Sequence, residues 1–426
     1  MSCERSENTD EGAKVWPEQV VGGKYVRLLE KYLQQLRDER AHGNRKLFLD
    51  DVFVVYLLAF FNPTVRSLRT IEDFSQTVQA QKHLSVRKIC KSTLSDFNQL
   101  ADPERLEPIL GALRQQLSRK HAQQPRGNTE LSQLLRQTVA VDGTFLPAAA
   151  EVAWAVCNKN NHGTVRHRAR LDAHLSVSTW LPEAIVVPAP GQSEADSAIS
   201  QLQPGRLYLY DRGYMSFALI AAHYAPIADE PLAHFVARYR PAGGNSPALK
   251  EVVDRELSEQ DRAANVLSDR TGCFVSSQGS RYPVPRVPLR EVIVAYERDG
   301  EPKTLRLITN LMDVSANTIA LLYRHRWQVE LFFRWLKSYA NFGHLISDCR
   351  EGVQTHFYVT VIAVFLMYLH TGYRPSKYLF ALLGQVAAGA ASLEEIMPIL
   401  RERERQCELA RQSAQRRRAK NKSQTN

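Results

Sequence analysis

Apolar positions follow two rhythms along the chain, and the change between them divides it. Over residues 25–40 leucines, tyrosines and charges alternate at helical spacing. Residues 47–61 form an apolar stretch closed by Asn62-Pro63, a helix-stop signal. Residues 106–117 repeat Leu and Ile at helical spacing. Residues 1–125 therefore predict a helical N-terminal region, whose polar first 22 or so residues read as disordered or loosely attached. From about residue 135 the rhythm changes. Short β-prone runs over 138–145, 169–177, 184–187 and 206–210 predict strands, and 194–202 predicts a helix. Residues 291–298 and 303–308 read as two further strands around Asp299-Gly300, a hairpin turn. Apolar helices continue to about residue 400, and residues 401–426 end in a basic tail containing Arg416-Arg417-Arg418.

Two of the strand-like runs end in an acid followed by glycine. Val139-Ala140-Val141-Asp142-Gly143-Thr144 is one, and Leu207-Tyr208-Leu209-Tyr210-Asp211-Arg212-Gly213-Tyr214 repeats the design. An acid where a buried strand ends faces the mouth of a sheet, where open α/β sheets place their ligands. Each Asp alone also fits a strand-terminating turn residue. The third element is the segment from Tyr323 to Lys337. Read as one helix, it sets Tyr323, Arg326, Glu330 and Lys337 at roughly 0°, 300°, 340° and 320°, a stripe about 60° wide. Val329, Phe332, Phe333 and Leu336 fall beside it, so one face is buried while the next presents a carboxylate among cations and a phenol. The bland alternative is an amphipathic surface helix with scattered charge.

The spacing Tyr-x2-Arg-x3-Glu-x6-Lys resembles the motif of the bacterial DDE transposases of the insertion sequence 4 family. Ile308-Thr309-Asn310-Leu311, Leu322-Tyr323-Arg324 and Asp211-Arg212-Gly213-Tyr214 also look like that family. The resemblance implies cut-and-paste DNA transposition on an α/β, ribonuclease-H-like core, a mixed sheet flanked by helices. That core would comprise residues 126–214 and 311–400, interrupted by a β-rich insertion subdomain over 215–310. It implies Asp142, Asp211 and Glu330 as catalytic, metal-holding residues, with Asp142 shared between two Mg²⁺ or Mn²⁺ ions. Hard divalent cations take oxygen ligands, and two of them about 4 Å apart can stabilise both oxygens of an in-line phosphoryl displacement. Tyr323, Arg326 and Lys337 would hold DNA phosphates beside the scissile bond. The implied partners are double-stranded DNA, as terminal inverted repeats and target, and a second copy of the chain in a synaptic homodimer. By position, residues 1–125 would bind transposon ends, with the basic cluster Lys82, Arg87, Lys88 and Lys91 as a candidate DNA-binding helix. Relatives that form DNA hairpins stack a flipped base on an aromatic in the insertion, often Trp. No Trp lies between Trp180 and Trp327, which leaves Phe274, Tyr282 and Tyr296 as substitutes.

Composition narrows the field further. The net charge of +10 favours a polyanionic partner. The longest apolar run, residues 361–369, is too short to span a bilayer and predicts a buried helix of the catalytic core, so no membrane association is expected. The polar N-terminus and six scattered cysteines without a C-x-x-C pair predict a cytoplasmic protein, on the nucleoid when bound to DNA. His162, His167 and His174 read as surface or strand residues. Two other readings fit the same residues. One is a metal-dependent nuclease on the same core without strand transfer. The other is a non-catalytic DNA-binding protein descended from a transposase.

Overall fold

The computed structural model describes residues 22–37, 47–62, 64–122, 129–147, 156–159, 165–189, 191–225, 230–240, 248–274, 286–298, 300–339, 347, 349–371, 378, 381–382, 385–386 and 390–424. The chain divides into two compact units, one of Met1–Leu113, Tyr339–Ser347 and Thr355–Asn426, the other of Arg114–Ser338 and Asp348–Gln354. The expected boundary at 125 thus falls nearer 113. The stretch from Thr355 onward groups with the N-terminal helices and not with the strands. Its main helix is apolar all round, and such a pattern does not say which neighbours bury it.

The first unit is helical as predicted. It contains α1 (Gly23–Leu28), α2 (Glu30–Leu36), α3 (Leu49–Phe61), α4 (Leu68–Ser75), α5 (Val78–Gln81), α6 (Lys91–Leu100) and the start of α7 (Glu107–Ala122). Helix α3 is its core: Val52, Phe53, Val55, Leu57 and Leu58 are fully buried. The Tyr56 hydroxyl donates to Asn98 Oδ1 at 2.8 Å, and buried Asp51 accepts from Ser85 N and Oγ at 2.8 and 2.6 Å, so both polar groups are satisfied. The basic cluster does not form one helix. Lys82 follows α5, Arg87 and Lys88 lie between helices, Lys91 opens α6, and Lys88 pairs with Glu72 at 2.7 Å. The expected basic tail is helical, since the last helix runs Leu393–Gln424.

The second unit is built on a single mixed sheet. After α8 (Glu130–Gln137) come β1 (Thr138–Pro147), β2 (Val156–Lys159), β3 (Val165–Ser176), β4 (Pro182–Val186), α9 (Glu194–Ser200), β5 (Leu207–Tyr210), α10 (Phe217–Ala222) and β6 (His234–Arg238). Then follow β7 (Lys250–Asp254), α11 (Glu259–Ala263), β8 (Val266–Cys273), β9 (Leu289–Arg298), β10 (Glu301–Thr309), α12 (Ala316–Arg324), α13 (Trp327–Tyr339) and the start of α14 (Arg350–Thr371). The strand order is β2-β3-β1-β5-β6-β10-β9-β8-β7, with β4 also paired to β3. Strands β1, β5 and β6 run parallel, and the other pairings are antiparallel. The hairpin read at Asp299-Gly300 is present, with Arg298 opposite Glu301 and Gly300 at φ 78°.

The segment expected as a separate β-rich insertion instead continues the sheet of β1, β5 and β6, because β10 hydrogen-bonds β6 along Leu307–Thr309. Its strands carry buried ion pairs. Arg290 on β9, 2% exposed, donates through Nε and Nη2 to Asp269 at 2.7 and 2.6 Å. Its Nη1 donates to the carbonyls of Leu311, Met312 and Val314, the residues leading into α12. Glu291, fully buried on the other face, pairs with Arg270 at 2.5 Å and with Arg306. Among the described residues α14 alone is long and apolar enough to cross a membrane, and it is almost entirely buried.

Candidate active site

Asp142 reaches the site through β1 and Asp211 through the end of β5. The parallel register pairs Ala140 with Leu209, and Asp142 and Asp211 each follow two residues later in the chain. Asp211 stands where a 3₁₀ turn, Arg212–Tyr214, begins, and its carboxylate makes no capping hydrogen bond. The Tyr323 hydroxyl donates to Asp211 Oδ1 at 3.4 Å, and Arg238 of β6 approaches the same oxygen at 3.8 Å.

The segment read as one helix is two. Helix α12 ends at Arg324 and α13 begins at Trp327. Between them the bonds tighten to the i to i−3 kind: His325 N to Leu322 O, Arg326 N to Tyr323 O, Gln328 N to His325 O and Val329 N to Arg326 O. No Gly or Pro marks this break. The buried face is as predicted, with Val329, Phe332, Phe333 and Leu336 inside. Arg326, 7% exposed, is the hub: its Nη2 donates to Glu330 Oε1 at 2.5 Å and its Nη1 lies 3.6 Å from Asp142 Oδ2. Lys337 is exposed two turns along α13 from Glu330, about 10 Å along the axis.

The structure adds groups that the sequence did not announce. Asp172 on β3 is buried and paired to Arg170 at 3.1 Å. Glu194, at the start of α9 under a Ser193 cap, is half-buried, and burial, Asp172 and Asp211 hold its carboxyl above the usual range. The Tyr214 hydroxyl is buried without a hydrogen-bond partner among the described residues; burial, then Asp172, Asp142 and Glu194, push its ionisation up. Arg170, Asp172 and His174 occupy alternate positions of β3, the mark of a solvated face, yet burial has closed over Asp172 and His174. His174 is therefore interior, its imidazole held down at about 4 by burial, whereas His162 and the side chain of His167 lie outside the described residues. Of the stacking candidates, Phe274 is 1% exposed and packed in the core, Tyr296 is exposed, and Tyr282 lies outside the described residues.

The glycines after the two aspartates are there for space. A Cβ at Gly143 would stand 2.8 Å from Asp172 Oδ1, and one at Gly213 would stand 2.9 Å from Glu194 Oε2. Asp172 is buried and paired with Arg170, so shifting it to admit a Cβ should make Gly143→Ala cost about 1–3 kcal/mol by overpacking. Urea unfolding of the variant against the parent chain measures this, and an unchanged midpoint would remove the steric reading.

Burial pushes the Asp142 carboxyl up to about 7; Arg326 and the Gly143 N–H oppose the shift, while Glu330 and Asp211 add to it. The folded chain therefore holds a proton on Asp142 between about pH 4 and 7 that the unfolded chain has released, so stability falls as pH rises through that window. Without divalent cations, Asp142→Asn should melt a few degrees above the parent at pH 8, taking about 2–4 °C per kcal/mol. The two should melt together near pH 4. Equal melting temperatures at both pH values in a chelator would contradict this electrostatic account.

Among the described residues no three Asp, Glu, His or Cys side chains stand close enough to enclose one ion. The acids are instead linked through Arg326 and Tyr323, with a guanidinium at the centre of the carboxylates. Asp142 does not end its strand as expected, since β1 runs on to Pro147, whereas Asp211 directly follows β5. The donor chemistry nonetheless suits a hard cation: mutually repelling carboxylates, one of them poorly solvated.

Residues 133–366 match the family described as the transposase DDE domain. A putative transposase, y4zB, of Sinorhizobium fredii is 26% identical over 276 residues, covering 63% of this chain and 69% of the relative. A probable transposase for insertion sequence element IS5377 of Geobacillus stearothermophilus is 40% identical over 70 residues, 16% of this chain and 19% of that protein. Among solved structures, a piggyBac transposase synaptic complex with hairpin DNA aligns at a TM-score of 0.38 and 10% identity over 88% of this chain and 78% of that one. With its match spanning more than half of the sequence and both aspartates, Tyr323, Arg326 and Glu330, the chain belongs to the transposase DDE domain family, and it is a DNA transposase.

Proposed function

We propose that this transposase moves an insertion sequence by cut-and-paste chemistry of the insertion sequence 4 type, cleaving DNA at terminal inverted repeats and joining the freed 3′ ends to a target. The observation that carries the reading is the meeting of Arg326 with both Asp142 and Glu330 while Tyr323 of the same segment holds Asp211. The order β4-β3-β1-β5-β6, with β1, β5 and β6 parallel, supports a ribonuclease-H-like core.

Asp142, Asp211 and Glu330 are the residues that would hold Mg²⁺ or Mn²⁺, two ions with Asp142 shared. Such ions, when bound, lower the pKa of a coordinated oxygen nucleophile and stabilise the departing one. The protein's own groups do the rest. Arg326 neutralises the acids in the free enzyme and is positioned to transfer its guanidinium to a DNA phosphate, releasing Glu330 and Asp142 for ligation. Tyr323 orients Asp211. Arg238, partly buried, and Lys337, exposed, supply phosphate contacts that position the strand without reading its sequence. Two copies acting on paired ends would let both ends be cut together.

The test is purified full-length protein with Mg²⁺ and duplexes carrying the element's own ends. Nicked ends that become covalently joined to a target plasmid are the expected products. Cut ends that never join would instead identify a nuclease on the same core.

A further inference from the structure

The end of the sheet away from the acids holds a second concentration of donors. A cavity of about 300 Å³ opens where β1 and β5 begin and β3 ends. Arg114 of α7, Arg136 of α8 and Arg206, just before β5, line it together with Ser178 and Thr179 of the β3–β4 turn. Five residues of extended chain separate Arg206 from Asp211, about 16 Å, so the cavity is distinct from the catalytic acids. Glu183 is the one carboxylate in its lining, and Arg206 already holds it at 2.9 Å. Arg136 is exposed and has no acidic partner among the described residues. The lining therefore carries three guanidinium groups against one acid, with hydroxyl donors between them.

Planar guanidinium forks with adjacent hydroxyls match the oxygens of a tetrahedral anion, and a net positive concavity lowers the cost of desolvating it. We infer that this cavity is a phosphate-binding site, remote from the reaction centre, that takes either a backbone phosphate of duplex DNA or a free phosphate group. On a basic chain such a site would fix a second point of contact along the duplex, beyond the strand being cut.

Two arms separate the sources. In the first, full-length protein binds a duplex of arbitrary sequence across a salt series. Arg136→Glu should lower the slope of log K against log[salt] by about 0.9, as loss of one phosphate contact does. The same reversal at exposed Arg262 on α11 should leave a smaller change. In the second, ³¹P line broadening reports inorganic phosphate, and Ser178→Ala, which alters no charge, should weaken it several-fold. A specific slope loss assigns the site to DNA; weakened phosphate binding with an unaltered slope assigns it to a free anion. If Arg136→Glu and Arg262→Glu behave alike and Ser178→Ala binds phosphate like the parent, all melting normally, the inference fails. Arg136→Gln carries the same reading should the reversal not fold.

Discussion

Asp142→Asn should reduce DNA strand cleavage by on the order of 10³-fold or more, in line with the loss of an essential group from a preorganised site. Asn keeps the size of the side chain and the Gly143 N–H contact to its oxygen, so β1 and its register persist. What goes is the negative charge between Arg326, Glu330 and Asp211. Duplex binding above about pH 7 should hold or tighten, because there the variant removes a negative charge beside the DNA path. Glu330→Ala should produce the same loss, and the double variant little more, since the acids act as one unit. Cleavage assayed alongside electrophoretic mobility shift gives both quantities. Activity in either variant within tenfold of the parent would remove that residue from the mechanism.

Arg290→Met should destabilise the second unit by about 3–5 kcal/mol, the usual cost of removing one partner of a buried charge pair. Among the described residues Asp269, 5% exposed, would keep only Arg255 at 3.7 Å, and the carbonyls of Leu311, Met312 and Val314 would lose their shared donor. Those carbonyls precede α12, which carries Tyr323, so the damage reaches the site through the chain. Arg290→Met combined with Asp269→Leu should recover much of the loss, because two apolar groups need no partner. Calorimetric melting of the single and double variants decides the matter. A single variant within 1 kcal/mol of the parent would show that the pair contributes little.

The two aspartates were legible because each closes a short apolar run and is followed by a glycine, either directly or one residue on, a pattern set by local chemistry. The Glu330 segment was legible in its spacing, although the helix reading was too regular: the break at His325-Arg326 follows from tertiary contacts and has no local breaker. Asp172 and Glu194 were not legible. Alternating charge on β3 signals solvent, and only the packing of α9 and the Arg212–Tyr214 turn shows otherwise. The strands of residues 250–309 were recognised, but their attachment to β6 was not, since strand pairing across β6 and β10 spans about 70 residues and leaves no periodic trace.

That attachment limits how such a gene can shrink. Excising residues 250–309 would strip β6 of its outer neighbour and leave a bare row of amides and carbonyls beside β5 and β1. Deletions there should yield insoluble, self-pairing chains and never a pared-down working enzyme, so shortened descendants of this element would keep these strands or lose the protein altogether.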